Sequence, residues 1–280
     1  MSLTNYHTHS RFCDGEGEPE SYVKEALSCG FDALGFSSHA PLPFYQSFVM
    51  GNSNLKLYCD LINQLKAKYK GMIQIYLGLE VDYVPEVIGP SSPQFRDLGL
   101  DYTIGSIHLM KNPENSEYLC VDESASAFKK LLQEVFKGDV EKYITHYYTL
   151  IRQMIREHNP SIIGHLDLVK KFNSNNEFFR EDEKWYMDEV YQTLNTIAAA
   201  SSVLEINTGG ISRGYIKSVY PSTWILKEAQ RLGIPIILSS DAHSPKFIKA
   251  YFEQAIEIAQ GVGYSSQRRV INGGWNDTLL

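Results

Sequence analysis

The stretch Leu3-Thr4-Asn5-Tyr6-His7-Thr8-His9 decides how the rest of the chain is read. A short run suited to an extended backbone ends in two histidines separated by one residue. Alternate side chains of a strand face the same way, so both imidazoles leave on one side and can reach a common ion about 2.0–2.2 Å away. The same arrangement, a short apolar run closed by an ionisable residue, recurs along the chain. Ala33–Phe36 is followed by His39, Ile73–Leu79 by Glu80, Tyr102–Ile107 by His108, and Ser161–Ile163 by His165. Val203–Ile206 closes on Glu205-Ile206-Asn207, and Ile234–Leu238 is followed by Asp241 and His243.

The runs are β-branched or aromatic and mostly apolar on both faces, which predicts strands of a buried parallel sheet. Between them lie amphipathic stretches with helical spacing. Leu55, Tyr58, Leu61, Ile62, Leu65 and Tyr69 form one stripe closed by Gly71, and similar patterns cover 18–29, 122–137, 139–158, 181–201, 221–232 and 245–260. Asp122 and Pro221 read as helix starts, and Gly30, Gly138 and Gly233 as stops. Strand and helix alternate without a long linker or repeat, so the expectation is one α/β domain over 1–280. Even spacing favours a distorted (β/α)7 barrel, with an open doubly wound sheet as the alternative. In either, the C-terminal strand ends share one rim, where sites are built.

Composition narrows the partners. The 280 residues carry 26 Lys+Arg against 33 Asp+Glu, a net charge of −7. That argues against coating a long polyanion, and hence against nucleic acid as partner. No apolar run has the roughly 18–20 residues of a membrane span, and no secretory signal is visible. Four scattered cysteines with no CxxC pair suit a reduced, cytoplasmic chain. Cys13 lies near the predicted rim but lacks a base and orienting partner, so it is not read as a nucleophile.

Taken singly, His108 or His165 would be an ordinary hydrogen-bonded core histidine. Convergence on one rim makes the set a metal centre. Six or more N/O ligands with no cysteine suit Zn²⁺, Mn²⁺ or Fe²⁺ and exceed what one tetrahedral ion needs, so two or three divalent ions are expected. His146 and His158 fall in the helical stretch 139–158 and are read as structural. A multinuclear centre can supply a hydroxide nucleophile at neutral pH and clamp phosphoryl oxygens, and it would equally serve amide hydrolysis. Basic residues discriminate. Arg213, in Asn207-Thr208-Gly209-Gly210-Ile211-Ser212-Arg213, carries a guanidinium suited to two phosphate oxygens, and it is the candidate clamp. Lys170, Lys171 and Arg11 lie near the same rim as further candidates, each of which could also be a solvated surface charge.

In this order, His7-x-His9, His39, Glu80, Gly105-Ser106-Ile107-His108, Ile163-Gly164-His165 and Ser240-Asp241-Ala242-His243 resemble the motifs of the PHP (polymerase and histidinol phosphatase) superfamily. The phrase His9–Gly15, Glu205–Thr208 followed by Arg213, and Tyr220-Pro221-Ser222 resemble its histidinol-phosphatase branch. The resemblance implies a seven-stranded barrel with three metals. The first would take His7, His9, Glu80 and Asp241, and the second Glu80, His108 and His165. The third would take His39 and His243 with a ligand from the first loop. The commoner pattern has a histidine in that loop; here Asp14 stands in the region, one residue earlier than a simple alignment places it. The implied activity is hydrolysis of L-histidinol phosphate, with Arg213, Lys170 and Arg11 toward the substrate; a water on the third metal, Asp241 or His243 are the candidate proton donors to the leaving group. The alternatives are another PHP phosphoesterase acting on nucleotides or DNA ends, a metal-dependent amidohydrolase, and a non-catalytic metal-binding regulator.

Overall fold

In the computed structural model, which describes residues 3–44, 46–271 and 274–280, seven parallel strands follow one another around a barrel. They are Leu3–Asn5, Phe31–Phe36, Gln74–Asp82, Tyr102–Ser106, Ile162–Ile163, Val203–Asn207 and Ile236–Ser239. Each pairs with its predecessor. The first and last meet through a parallel bridge between Thr8 and Ala242, in which the His9 N–H donates to the Ala242 carbonyl at 2.9 Å. That seam closes the sheet and decides for the barrel over the open alternative.

The predicted helices form with trimmed ends. Val140–His158 presents Tyr143, Tyr147, Ile151, Met154 and Ile155 to the core at helical spacing. Its first turn is capped by the Asp139 carboxylate, which accepts from the Lys142 N–H. The helix expected from Asp122 begins at Ala125, because the Ser124 hydroxyl caps it by accepting from the Ala127 N–H. Asp122 is thereby left to the rim. The stretch 245–260 is one turn of 3₁₀ helix at Pro245–Phe247 and a helix at Phe252–Gly261, interrupted by Tyr251 at φ 61°. Two antiparallel hairpins lie outside the strand–helix alternation that the sequence predicts: Leu109–Lys111 with Tyr118–Cys120, and Ser266–Ile271 with Gly274–Leu279.

The barrel's lower half is filled by aromatic rings. Tyr6 and Tyr102 meet edge to face at 5.6 Å, and Tyr76 lies 5.7 Å from Tyr6. The Tyr102 ring fits because Gly78 lacks a side chain; a Cβ there would lie 2.4 Å from the ring. The C-terminal hairpin closes this end, with the Val270 N–H donating to the Tyr6 hydroxyl at 3.0 Å and the Tyr76 hydroxyl donating to the Val270 carbonyl at 2.8 Å.

A candidate metal centre at the strand ends

The predicted ligands gather at the strand ends, His7 with His9 after the first and Asp241 with His243 after the last, and the set closes around one carboxylate. Glu80, 1% exposed, lies near the end of the third strand among five imidazoles. Its Oε2 lies 3.1 Å from His39 Nδ1, 3.2 Å from His7 Nε2 and 3.4 Å from His9 Nε2. Its Oε1 lies 2.9 Å from His165 Nε2 and 3.6 Å from His108 Nε2 and accepts from the Ser106 hydroxyl at 2.7 Å. Asp241 faces it from the last strand, with Oδ1 3.2 Å from His9 Nε2 and 3.6 Å from His7 Nε2.

Neighbouring carboxylates hold two of these rings by the nitrogen that points away from the centre. His7 Nδ1 lies 2.6 Å from Glu205 Oε1, and His108 Nδ1 lies 3.0 Å from Asp82 Oδ1. A ring that donates from Nδ1 keeps an Nε2 lone pair free, which is the tautomer a metal ligand needs. Glu205 also accepts from the His165 N–H and from Asn207 through Oε2, at 2.8 and 3.0 Å. Asp82 and Glu205 were not assigned roles from the sequence. For Asp82 the signal was there: it stands two residues after Glu80 on one strand, the same alternation that joins His7 to His9.

A divalent ion fits this donor set. His7 Nε2, His9 Nε2 and His39 Nδ1 are buried with no hydrogen-bond partner, although an unpaired buried polar atom costs about 1–3 kcal/mol. His108 Nε2 and His165 Nε2 are 3.3 Å apart. Two nitrogens about 2.0–2.1 Å from one tetrahedral ion would lie roughly 3.3–3.4 Å apart. Ligand atoms gather in four overlapping groups, each within 4.8 Å: His7, His9, Asp241; His7, Glu80, His165; His39, Glu80, His108; and His9, Asp14, His39, His243. Burial opposes charge on the rings, yet Glu205, Glu80 and Asp241 outweigh it at His7 and hold its pKa well above the usual value. Burial is likewise outweighed at His108, which Asp82 and Glu80 raise to about 10. At His9, burial and the neighbouring His243 and His39 win, and the value falls to about 3. The negative field that draws protons to His7 and His108 is one a divalent cation would answer.

Asp14 reaches the third group despite its offset in sequence, with Oδ2 3.3 Å from His243 Nε2 and Oδ1 3.8 Å from His39 Nε2. The loop turns tightly enough to bring it there because Gly15 packs against the backbone of Ser10, where a Cβ would lie 2.4 Å from the amide nitrogen. His146 and His158 stay outside. His146 packs on Phe136, and His158 Nδ1 lies 2.7 Å from the Ser91 hydroxyl.

Above the centre is a cavity of about 270 Å³ whose lining includes Arg213, Lys171, Tyr215, Phe48, Asp122 and Glu123. Arg213 Nη2 donates to Asp241 Oδ2 at 2.9 Å. The approach depends on Gly209, where a Cβ would sit 2.8 Å from Asp241 Oδ2 and 3.0 Å from Arg213 Nη2. Two expected substrate contacts are corrected. Arg11 lies outside the cavity on the surface, paired with Glu18 and lying over the Phe12 ring. Lys170 turns away to Asp167, and its neighbour Lys171 lines the cavity instead. Lys171 Nζ is held by the Asp122 carbonyl at 2.6 Å and its carboxylate at 2.9 Å, 4.4 Å from the Tyr215 ring centre. Two lysines adjacent in sequence are indistinguishable until the turn that carries them is placed.

Fold and site together define a parallel α/β barrel whose rim can hold several divalent ions beside a basic wall. Residues 5–209 match the PHP domain family, and the chain belongs to it. It is 31% identical over 272 residues to the histidinol-phosphatase of Bacillus subtilis, covering 92% of this chain and 99% of that one. A histidinol-phosphatase of Lactococcus lactis is 25% identical over 251 residues, covering 88% of this chain and 86% of that one. The fold is shared with the crystal structure of histidinol phosphate phosphatase from Lactococcus lactis, complexed with zinc, L-histidinol and phosphate. The TM-score is 0.73 at 22% identity, with 98% of each chain covered. A solved structure from Listeria monocytogenes shares it at TM-score 0.77 and 24% identity, covering 90% of this chain and 99% of that one.

Proposed function

We propose that this chain is a histidinol-phosphatase, hydrolysing L-histidinol phosphate to L-histidinol and phosphate in L-histidine biosynthesis. The observation that carries the reading is that the buried donors His39, Glu80, His108, His165 and Asp241 line one small cavity together with two basic side chains, Arg213 and Lys171. His7, His9, Glu80 and Asp241 would hold one ion, Glu80, His108 and His165 a second, and His39, His243 and Asp14 a third. Zinc, manganese or iron there would lower the pKa of water and neutralise charge on phosphoryl oxygens.

The chain's own residues do the rest. Arg213, braced against Asp241 and His243 at the edge of the ligand cluster, and Lys171 bind the phosphoryl oxygens, and their charge counts for more as the phosphoryl group gains negative charge. Asp122 and the exposed Glu123 give the mouth an acidic edge that suits the ammonium and imidazole of histidinol. Of the two groups expected to move protons, Asp241 is committed: it accepts from Arg213, and although burial alone would raise its pKa, Arg213 and His7 hold it well below the usual carboxylate range. His243, a quarter exposed at the rim, is occupied as well, with Nε2 3.3 Å from Asp14 and Nδ1 2.8 Å from Arg213 Nη1, so while it holds an ion the proton for the leaving oxygen would come from water. The whole chain acts as one domain on a small monoester in the cytoplasm, with no nucleic acid or membrane partner. Among the described residues, no helix is long and apolar enough to cross a membrane.

Metal analysis followed by a phosphate-release screen tests this. Histidinol phosphate should be turned over well ahead of nucleoside monophosphates and of single-stranded DNA ends. No release from any monoester by the metal-loaded protein rejects the phosphatase, and preference for a nucleotide replaces the substrate.

A further inference from the structure

We propose that Lys170 and Asp167 form a buried clip that positions Arg213, so that Lys170 serves phosphate binding without touching the substrate. The inference rests on the phosphatase reading through Arg213. Arg213 sits in the loop between the sixth strand and the helix Thr223–Arg231. The loop's neck is closed by two backbone bonds, from the Asn207 N–H to the Tyr220 carbonyl at 2.7 Å and from the Tyr220 N–H to the Asn207 carbonyl at 3.0 Å. Beside that neck, Lys170 Nζ donates to Asp167 Oδ2 at 2.7 Å, to the Ser222 hydroxyl at 2.5 Å and to the Val219 carbonyl at 3.4 Å. Asp167 Oδ2 in turn accepts from the Ser222 N–H at 2.9 Å.

Lys170 thus joins two segments far apart in sequence. One is the turn after the fifth strand, which carries His165 and Lys171; the other is the C-terminal foot of the Arg213 loop. Asp167 is fully buried and the Lys170 side chain is 9% exposed. A buried ion pair of this kind contributes little net stability against a hydrophobic replacement, because desolvation cancels the attraction. What it can do is select one arrangement, since any other leaves a buried charge unpaired. Here the selected arrangement keeps the loop foot against the turn, and with it the two phosphate-facing cations, Arg213 and Lys171, at a constant separation. The loop interior is already tight: the Tyr215 N–H returns to the Gly210 carbonyl at 2.9 Å, and Gly209 packs on Asp241. With interior and neck both fastened, what the clip sets is how the whole loop sits against the turn that carries Lys171, and slack there would weaken the Arg213 contribution to phosphate binding.

The test uses inorganic phosphate binding to the zinc-loaded protein, measured by calorimetry, in a double-mutant cycle. Lys170→Met with Asp167→Asn removes both charges, so no unpaired ion is buried. This variant should bind phosphate about tenfold more weakly, a part of what one charge-assisted hydrogen bond is worth, at unchanged zinc stoichiometry. In an Arg213→Ala background the same pair of changes should cause no further loss, because the clip acts through Arg213. A folded double variant within twofold of wild type, or the full loss repeated in the Arg213→Ala background, overturns the proposal. If the double variant does not fold, Ser222→Ala removes one contact of the clip alone and should still weaken phosphate about threefold. Wild-type affinity in Ser222→Ala would then overturn it. If wild-type protein itself binds no phosphate, the phosphatase reading fails rather than the clip.

Discussion

The two ends of the barrel are built from neighbouring residues and are satisfied in opposite ways. Tyr6 belongs to the lower end, where its hydroxyl accepts from Val270 and its ring packs on Tyr76, Tyr102 and Trp275. His7, the next residue, belongs to the rim, where Nδ1 meets Glu205 and Nε2 has no hydrogen-bond partner. At the lower end Tyr102 also donates to the Tyr6 and Phe36 carbonyls at 2.5 and 3.1 Å. At the rim, His7 Nε2, His9 Nε2 and His39 Nδ1 converge on carboxylates without bonding to them. A buried polar group paired within the protein supports the fold, whereas one left unpaired is costly unless a ligand completes it. Rim substitutions should therefore cost activity and metal affinity, and substitutions at the lower end should cost stability.

The largest effect should come from Glu80→Ala. Glu80 lies among five imidazoles, and its loss should lower kcat on the order of 10³-fold and reduce bound metal; a chelator should abolish phosphate release from wild type, with zinc or manganese restoring it. Full metal content and turnover in Glu80→Ala would break the account of the rim. Arg213→Ala should reduce kcat/KM for phosphate monoesters by about 10²-fold while zinc stoichiometry at saturation holds, as expected for lost charge stabilisation beside the ions. If both stay at wild-type level, the clamp assignment is wrong. Glu205→Gln removes the carboxylate that orients His7, and chelator competition should show zinc held about 10–100-fold more weakly; unchanged affinity would make Glu205 a packing residue only. Lys171→Met should raise KM for a monoester by about tenfold with kcat less affected, from lost ground-state attraction to phosphate. The smallest functional change should come from the other end. Tyr102→Phe should cost about 1–2 kcal/mol of unfolding stability, read from denaturant melts, with kcat within about twofold of wild type. A large loss of turnover there would dissolve the distinction between the two ends.

Much of the rim was legible because strand ends obey short-range rules. His7 and His9 share a side by alternation, and parallel strands bring His39, Glu80, His108, His165 and Asp241 to one edge whatever the helices between them do. Closure was less legible: it depends on the Thr8–Ala242 bridge, a contact between the two ends of the chain. The two hairpins escaped because their strands are short or polar and do not follow the strand–helix alternation. The rim's supports divide in the same way. Asp82 carried a local signal, two residues beyond Glu80 on one strand, whereas the pairing of Glu205 with His7 spans 198 residues.

By itself, the sequence determined an acidic α/β chain with an ordered series of metal-ligand residues at its strand ends, and through its motifs the family. Those features depend on backbone periodicity and on the shared direction of parallel strands, which are local or repetitive properties. Only the tertiary structure decided which side chains of the loops face the cavity. Arg11 went to the surface, Asp14 came in, and of two consecutive lysines Lys171 lines the cavity while Lys170 ties down the loop that carries Arg213. In a turn, neighbouring side chains point in unrelated directions, and the direction each takes is set by partners that only folding brings near: Asp122 and Ser222, 49 and 52 residues away.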